Sequence, residues 1–289
     1  MKINEIVPQK NEYTKVLDTI ALKPKLLYYY GEWPKRRVKT VAIVGSRKNT
    51  KYGEDVAYKL AYELAKRGVI VISGLAYGID SIAARGALDS GGKTIAILGT
   101  EIERIYPRQH IALAEEIVKK NGVVASEYKL GDEVFMKTSF LQRNRIISGL
   151  ADAVVVIEAA ERSGTLNTAA HALSQGRDLF AVPGRVYDKM SAGCNFLISK
   201  GANPLYSIEE FVQYFAPRGK KKQTEQISLF GDTPEERAVL KKLAAGIRDG
   251  DEIMEQLEMP VQVYNQVITM LEIKGAIRPL GANTWILAA

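Results

Sequence analysis

The chain has 289 residues, 46% of them hydrophobic and 25% charged, the composition of an ordinary soluble globular protein with room for one large domain and a small one. One cysteine, Cys194, and two histidines, His110 and His171, exclude a disulfide framework and leave too few soft ligands for a Cys/His metal cluster. No apolar run approaches the roughly 20 residues that span a bilayer, and MKINEIVPQKNEY has no signal-like apolar core, so the expected setting is the cytosol, away from membranes.

The net charge of +7 is unevenly placed. From Asp232 onward nine acids face six bases, −3 in all, which leaves +10 on the first 231 residues. A basic body with an acidic tail points to a polyanionic partner for the body. Many enzymes carry a similar excess, so charge alone does not decide.

Residues 1–38, with LLYYYGEWPKRR, are basic and aromatic and too few for a domain, so they read as an arm packed on the domain after them. From Thr40 the period changes. VAIVG ending at Gly45 is a continuous apolar run, the pattern of a strand buried on both faces. A helix follows over about 52–67, with Val56, Leu60, Ala61, Leu64 and Ala65 on one face. VIVISG (69–74) is a second strand, and a helix runs from Ile79 to Leu88. TIAILG (94–99) is a third strand, with a helix near 109–120. VVAS (123–126) and ADAVVVIEA (151–159) are the fourth and fifth strands, followed by a helix from Thr165 to Ser174 and a strand at Leu179–Val182. Strands alternating with helices of this length predict an α/β domain over 39–217 with a doubly wound, mostly parallel sheet.

APRGKKKQTEQ (216–226) has proline, glycine and four bases with no apolar spacing, and 218–231 reads as a basic linker. Beyond it, Thr233, Pro234 and Glu236 compose a capping box that opens a helix. Two more helices, near 249–257 and 260–274, and a hairpin around Gly281-Ala282-Asn283 make 232–289 a winged helix. Its third helix, where a duplex reader would be basic, has one lysine and one glutamate beside Tyr264 and Asn265, so this domain is expected to add little DNA affinity and to contact protein instead.

In an open parallel sheet, ligands sit beyond the carboxyl ends of the strands. The loops there are Gly45-Ser46-Arg47, then 73–78, then Gly99-Thr100, then 158–165, all rich in Gly, Ser and Thr. Ser163, Gly164 and Thr165, opening a helix, are the best phosphate cradle, with Arg47 and Arg162 beside the loops. VGSRKNTKYG lacks the dinucleotide glycine pattern and there is no Walker lysine, so no nucleotide cofactor is expected. A second constellation, KTSFLQRNR over 137–145, flanks an aromatic with bases ahead of a helix. Lys137, Arg143 and Arg145 suit successive phosphates, Asn144 lies between them, and Phe140 suits an unpaired base. Phe140 could equally anchor the core, and Arg143 could pair with Glu158. Catalytic arrangements are scarce. Both histidines read as structural, Asp80 as a helix cap, and Cys194 as a buried thiol.

The ordered strings IVGSR (43–47), SGLAYGID (73–80), IYP (105–107), SE (126–127), RNRIISGL (143–150), EAAERSGTLNTA (158–169), GRDLFAVPG (176–184) and GCNFLISKGA (193–202) resemble the DprA/Smf family. LYYYGEW resembles the lead-in to that core, and the tail resembles the winged helix some members carry. The resemblance implies an extended Rossmann-like core that dimerises, binds and protects single-stranded DNA in a basic pocket, and helps load the RecA recombinase in natural transformation, with no catalytic residue. It places Gly45, Ser46 and Arg47 in the DNA-contacting loop and the 137–145 segment in another wall. Ala84 stands where members commonly have histidine, and Glu101 where they have glycine. Glu101 would add negative charge beside the pocket.

Two other functions compete. Phosphoribohydrolases of related fold carry PGGxGTxxE, but Thr168 stands where their catalytic glutamate would be, and a hydroxyl cannot serve as that acid or base near neutral pH. A transcription-factor-like reader built on the tail is disfavoured by the acidity of its helices.

Overall fold

The computed structural model describes residues 1–217, 231–281 and 283–287. Most of the linker expected at 218–231 lies outside them. Two compact units emerge, 1–217 and 218–289.

Unit 1 is built on a nine-stranded sheet, ordered β1-β2-β6-β5-β4-β3-β7-β8-β9. The strands are β1 (Asn4–Ile6), β2 (Leu27–Gly31), β3 (Thr40–Val44), β4 (Ile70–Ser73), β5 (Thr94–Ile97), β6 (Val123–Ser126), β7 (Ala153–Val156), β8 (Asp178–Ala181) and β9 (Asn203–Pro204). From β6 to β9 every pairing is parallel, whereas β1 and β2 join antiparallel at one edge. Strands β3 to β7 are buried along their whole length, which is why they read as unbroken apolar runs.

Helices α1 (Lys51–Lys66), α2 (Ile79–Asp89), α3 (Ile111–Lys119) and α7 (Ile208–Phe215) cover one face. The other carries α4 (Met136–Leu150), α5 (Gly164–Ser174) and α6 (Ala192–Ser199). Where the sequence assigned an element, the structure agrees within a few residues, except at 137–145, which lies inside α4 rather than ahead of a helix.

Residues 1–38 are more than a packed arm. They supply two strands, and Tyr13, Leu17, Ile20, Leu27 and Trp33 enter the same buried cluster as Ile146, Ile147 and Leu150 of α4. A Cβ at Gly149 would come within 2.9 Å of the Leu17 side chain, so the two segments pack closely there. The N-terminal segment therefore backs the helix that forms one wall of the candidate site.

Unit 2 holds α8 (Pro234–Ala244), α9 (Gly250–Leu257), α10 (Val261–Ile273) and the antiparallel hairpin β10 (Ile277–Gly281)–β11 (Thr284–Leu287), a winged helix with its own apolar core. The capping box forms as expected: Thr233 accepts from the Glu236 amide at 3.2 Å, and the Glu236 carboxylate accepts from the Thr233 and Asp232 amides. Lys274 donates to both Glu236 oxygens at 2.8 Å and to Asp232 at 2.7 Å. Burial pushes the Glu236 carboxyl up, but Lys274 and the two amides outweigh it and hold the group below its ordinary value. A depressed carboxylate stabilises the fold above its unfolded pKa and loses that contribution as pH falls through the folded value. Lys274→Met is accordingly expected to destabilise unit 2 by about 1–3 kcal/mol at neutral pH. In melts across pH, the gap between wild type and variant closes below about pH 4. An equal gap at pH 3 and pH 7 refutes it.

No helix among the described residues is long and apolar enough to cross a membrane.

Candidate nucleic-acid interface

The strand order reverses between β3 and β7. The chain leaves β3 toward β4 on one side and leaves β7 toward β8 on the other, so their two loops diverge and open a crevice at their carboxyl ends. A pocket of about 510 Å³ lies there, lined by 45–48, by Phe140, Arg143, Asn144 and Ile147 of α4, and by the 162–165 turn.

The β3 loop is held from beneath. Gly45 is required by packing: a Cβ would sit 2.6 Å from Ile79. Ser46 accepts from the Lys48 amide through its hydroxyl and from the Ile79 amide through its carbonyl. Thr50 caps α1, accepting from the Gly53 amide. The buried Glu158 carboxylate in turn accepts from the Thr50 hydroxyl and, at 2.9 Å, from its amide. Glu158 thus ties the end of β7 to the loop that carries Arg47. It does not pair with Arg143, as the sequence had left open.

Gly78 marks the next loop. Its φ of 75° is left-handed, and a Cβ would lie 2.3 Å from the Ser46 carbonyl, so only glycine lets the two loops close together. Asp80 is no cap of its own helix. It is 7% exposed and turns back to accept from the Gly74 amide at 2.9 Å and the Ala76 amide at 3.4 Å. Burial raises its pKa, against the pull of Arg143 and these amides.

The period of α4 sorts the second constellation. Phe140, Arg143, Asn144 and Ile147 fall at i, i+3, i+4 and i+7 and share the face toward the pocket. Arg145 lies off that face. It grips both Glu127 oxygens at 2.6 and 2.7 Å and the Leu22 carbonyl at 2.7 Å, so it fastens α4 to β6 and the N-terminal segment and is outside the pocket lining. Arg143 is 4% exposed. Its Nη1 donates to the Gly74 carbonyl at 2.7 Å and to the Ile97 carbonyl, and its Nε to Asn144, which donates in turn to Asn167. Burial lowers its pKa to about 10, with Asp80 opposing, so it stays charged at neutral pH. These bonds make Arg143 a brace between the ends of β4 and β5 and α4, set into the wall of the pocket. The Lys137 side chain lies outside the described residues.

What remains facing solvent is cationic. Arg47, Lys48 and Arg162 are exposed, line the pocket and form no ion pair among the described residues. The Arg47 guanidinium stands 5.5 Å from the Phe140 ring centroid. Ser163 caps α5 by accepting from the Thr165 amide, and Gly164 has open space where a side chain would be, so the positive end of α5 points into the pocket. Lys48 could have been found from its place beside Arg47. Met190, from the loop after β8, reaches the lining with no local signal in its sequence.

Elsewhere, Cys194 is fully buried and its thiol is pushed up to about 12 by burial, the inert thiol expected. His110 bonds the Leu75 carbonyl at 2.8 Å. Glu101 is outside the pocket lining, and its carboxylate lies 3.4 Å from the Arg104 guanidinium.

A family model for DNA recombination-mediator protein A matches residues 4–216, and one for the DprA winged helix domain matches 223–283. Protein Smf of Escherichia coli is 40% identical over 211 residues, covering 73% of this chain and 56% of that protein. DNA processing protein DprA of Streptococcus pneumoniae is 40% identical over 199 residues, covering 69% and 70%. The chain thus spans little more than half of the E. coli relative. Among solved structures, DNA processing protein A of S. pneumoniae matches with a TM-score of 0.68 at 38% identity, over 74% of this chain and 75% of that one. DNA processing protein A of Helicobacter pylori, described for its single-stranded DNA binding mode, matches at 0.65 and 32%, over 74% and 95%. With a model matched along nearly all of unit 1 and a second along unit 2, the chain belongs to the DNA recombination-mediator protein A (DprA/Smf) family.

Proposed function

We propose that the chain binds single-stranded DNA in the pocket between β3 and β7, and that it protects the strand and helps load the RecA recombinase onto it in recombination and natural transformation, acting as a homodimer. One observation carries the binding: three exposed, unpaired cations converge with an aromatic face and the amino end of α5 around an open crevice. Cations there would hold the backbone without regard to sequence, and a ring favours an unpaired base over a stacked one. The H. pylori relative's described binding mode supports the same reading.

Holding is favoured over turnover. Among the described lining residues the one carboxylate is Asp80, engaged by two amides, and Thr168 stands where the phosphoribohydrolase glutamate would be.

Unit 2 supports a division of labour. Along α10 the exposed residues include Gln262, Asn265, Gln266, Thr269, Met270 and Ile273, with no cation among them. Tyr264 is 1% exposed, and Lys274 is taken up by Glu236 and Asp232. Anisotropy titrations with a labelled oligonucleotide test this. The 1–217 fragment is expected to retain most of the affinity of the full chain, with the 231–289 fragment at least about 100-fold weaker. Comparable binding by the smaller fragment contradicts it.

A further inference from the structure

Unit 1 has a second basic surface, at the end of the sheet opposite the crevice. A pocket of about 380 Å³ opens there at the amino ends of β3, β7 and β8, with Lys39, Asp152, Arg177, Asp178 and Phe215 in its lining. The 5 residues of β3, at about 3.3 Å each, put about 16 Å of strand between it and the crevice.

Part of the charge at this end is structural. Arg37 donates to the Leu150 carbonyl at 2.9 Å and to Asp152 at 2.8 Å, and Arg177 donates to the Gly149 carbonyl at 3.0 Å. Both arginines thereby satisfy the last carbonyls of α4, where a helix end favours cations. The second Asp152 oxygen accepts from the Thr40 amide at 2.7 Å. This accounts for Arg37 and Asp152, and for part of Arg177, whose buried Nε has no partner among the described residues.

It does not account for Lys35, Arg36 and Lys39, on the turn that leads into β3. All three are exposed, and their side chains form no ion pair or hydrogen bond among the described residues. Lys39 Nζ stands 5.2 Å from the Phe215 ring centroid. Against them, the one uncommitted carboxylate among the described lining residues is Asp178. In sequence, Pro217 is followed by four bases before the first acid, Glu225, so the chain beyond Phe215 adds charge of the same sign. Cations that no helix end or carboxylate takes up are those that gain from binding phosphates, because counterions are released. No exposed apolar residue accompanies them on 34–39, as a lipid surface would require, so the matching partner is a polyanion in water.

We infer that Lys35, Arg36, Lys39 and Arg177 hold a second stretch of nucleic-acid backbone, on the far side of the sheet from the crevice, through phosphate contacts alone. This goes beyond the crevice reading and stands or falls separately from it.

The test titrates the full chain with a short oligothymidylate that fills the crevice once and a long one that reaches both ends of the sheet. The variant Lys35→Gln/Arg36→Gln/Lys39→Gln is expected to melt like wild type and to bind one short strand per chain where wild type binds two at low salt. Its affinity for the long strand falls on the order of tenfold, and its slope of log affinity against log salt becomes shallower by about 2, the loss of three phosphate contacts. Added to Arg47→Ala, the same changes remove most of the residual long-strand binding. One long strand per wild-type chain means that a single molecule spans both surfaces; two mean separate molecules. The patch is refuted if the variant matches wild type in long-strand affinity, slope and short-strand stoichiometry. It is also refuted if the variant keeps DNA binding but loses affinity for phosphatidylserine vesicles or for polyglutamate. If Arg47→Ala binds like wild type while the patch variant does not, the crevice reading fails and the patch stands. Should the triple variant not fold, Lys35→Gln/Arg36→Gln serves in its place, with a slope change of about 1.4.

Discussion

Arg143→Ala is expected to unfold the core at moderate temperature rather than merely weaken DNA binding. The substitution strips a donor from each of the buried Gly74 and Ile97 carbonyls and removes the larger of the two charges that oppose the burial of Asp80. Breaking such a buried ionic arrangement by removing one partner costs about 3–5 kcal/mol. In a unit of this size that lowers Tm by on the order of 10 °C. Arg143→Lys restores the charge but not the forked geometry, so it should recover only part of the loss. Thermal melts decide the matter. A variant that melts within about 2 °C of wild type but no longer binds oligonucleotides would make Arg143 a phosphate ligand and not a brace.

Arg47→Ala should behave in the opposite way. Arg47 is exposed, forms no ion pair among the described residues, stands over the Phe140 ring and acts on the buried Asp80 carboxylate only through its charge, so stability is expected to stay within about 0.5 kcal/mol of wild type. Affinity for single strands should fall roughly 10- to 100-fold, the worth of a charge-assisted bond to phosphate. The loss should be similar for all sequences, because a phosphate contact reads none. Across a salt series the slope of log affinity against log salt should become shallower by about 0.7, the signature of one fewer neutralised phosphate on a single strand. Unchanged affinity and slope would move the binding site away from the β3 loop.

The two arginines show where reasoning from the chain alone reached its limit. Both lie in basic, Gly/Ser/Asn-rich strings of the family pattern, and both looked like phosphate ligands. Burial separates them. Arg143 falls on the inward face of α4, where the β4 and β5 ends present carbonyls to it, and Arg47 falls on a turn that has nowhere to point but outward. Arg145 was likewise drawn away by Glu127, 18 residues earlier in the chain, through a pairing that no local spacing reveals.

By itself the sequence determined the period of the central strands β3 to β8 and of the helices α1, α2, α3 and α5, because strands buried on both faces must be apolar throughout and covering helices must be apolar on one side. It also determined the capping box at Thr233 and, from four Gly- and Ser-rich turns on one edge of the sheet, the side on which the crevice opens. Only the tertiary structure decided that residues 1–38 extend the sheet and brace α4, and that Glu158 and Asp80 anchor loops. It alone decided which of the cations remain free for a partner. These outcomes depend on contacts between residues far apart in the chain, where an amide, a carbonyl or a carboxylate supplied by the fold competes for a side chain that its neighbours in sequence leave uncommitted.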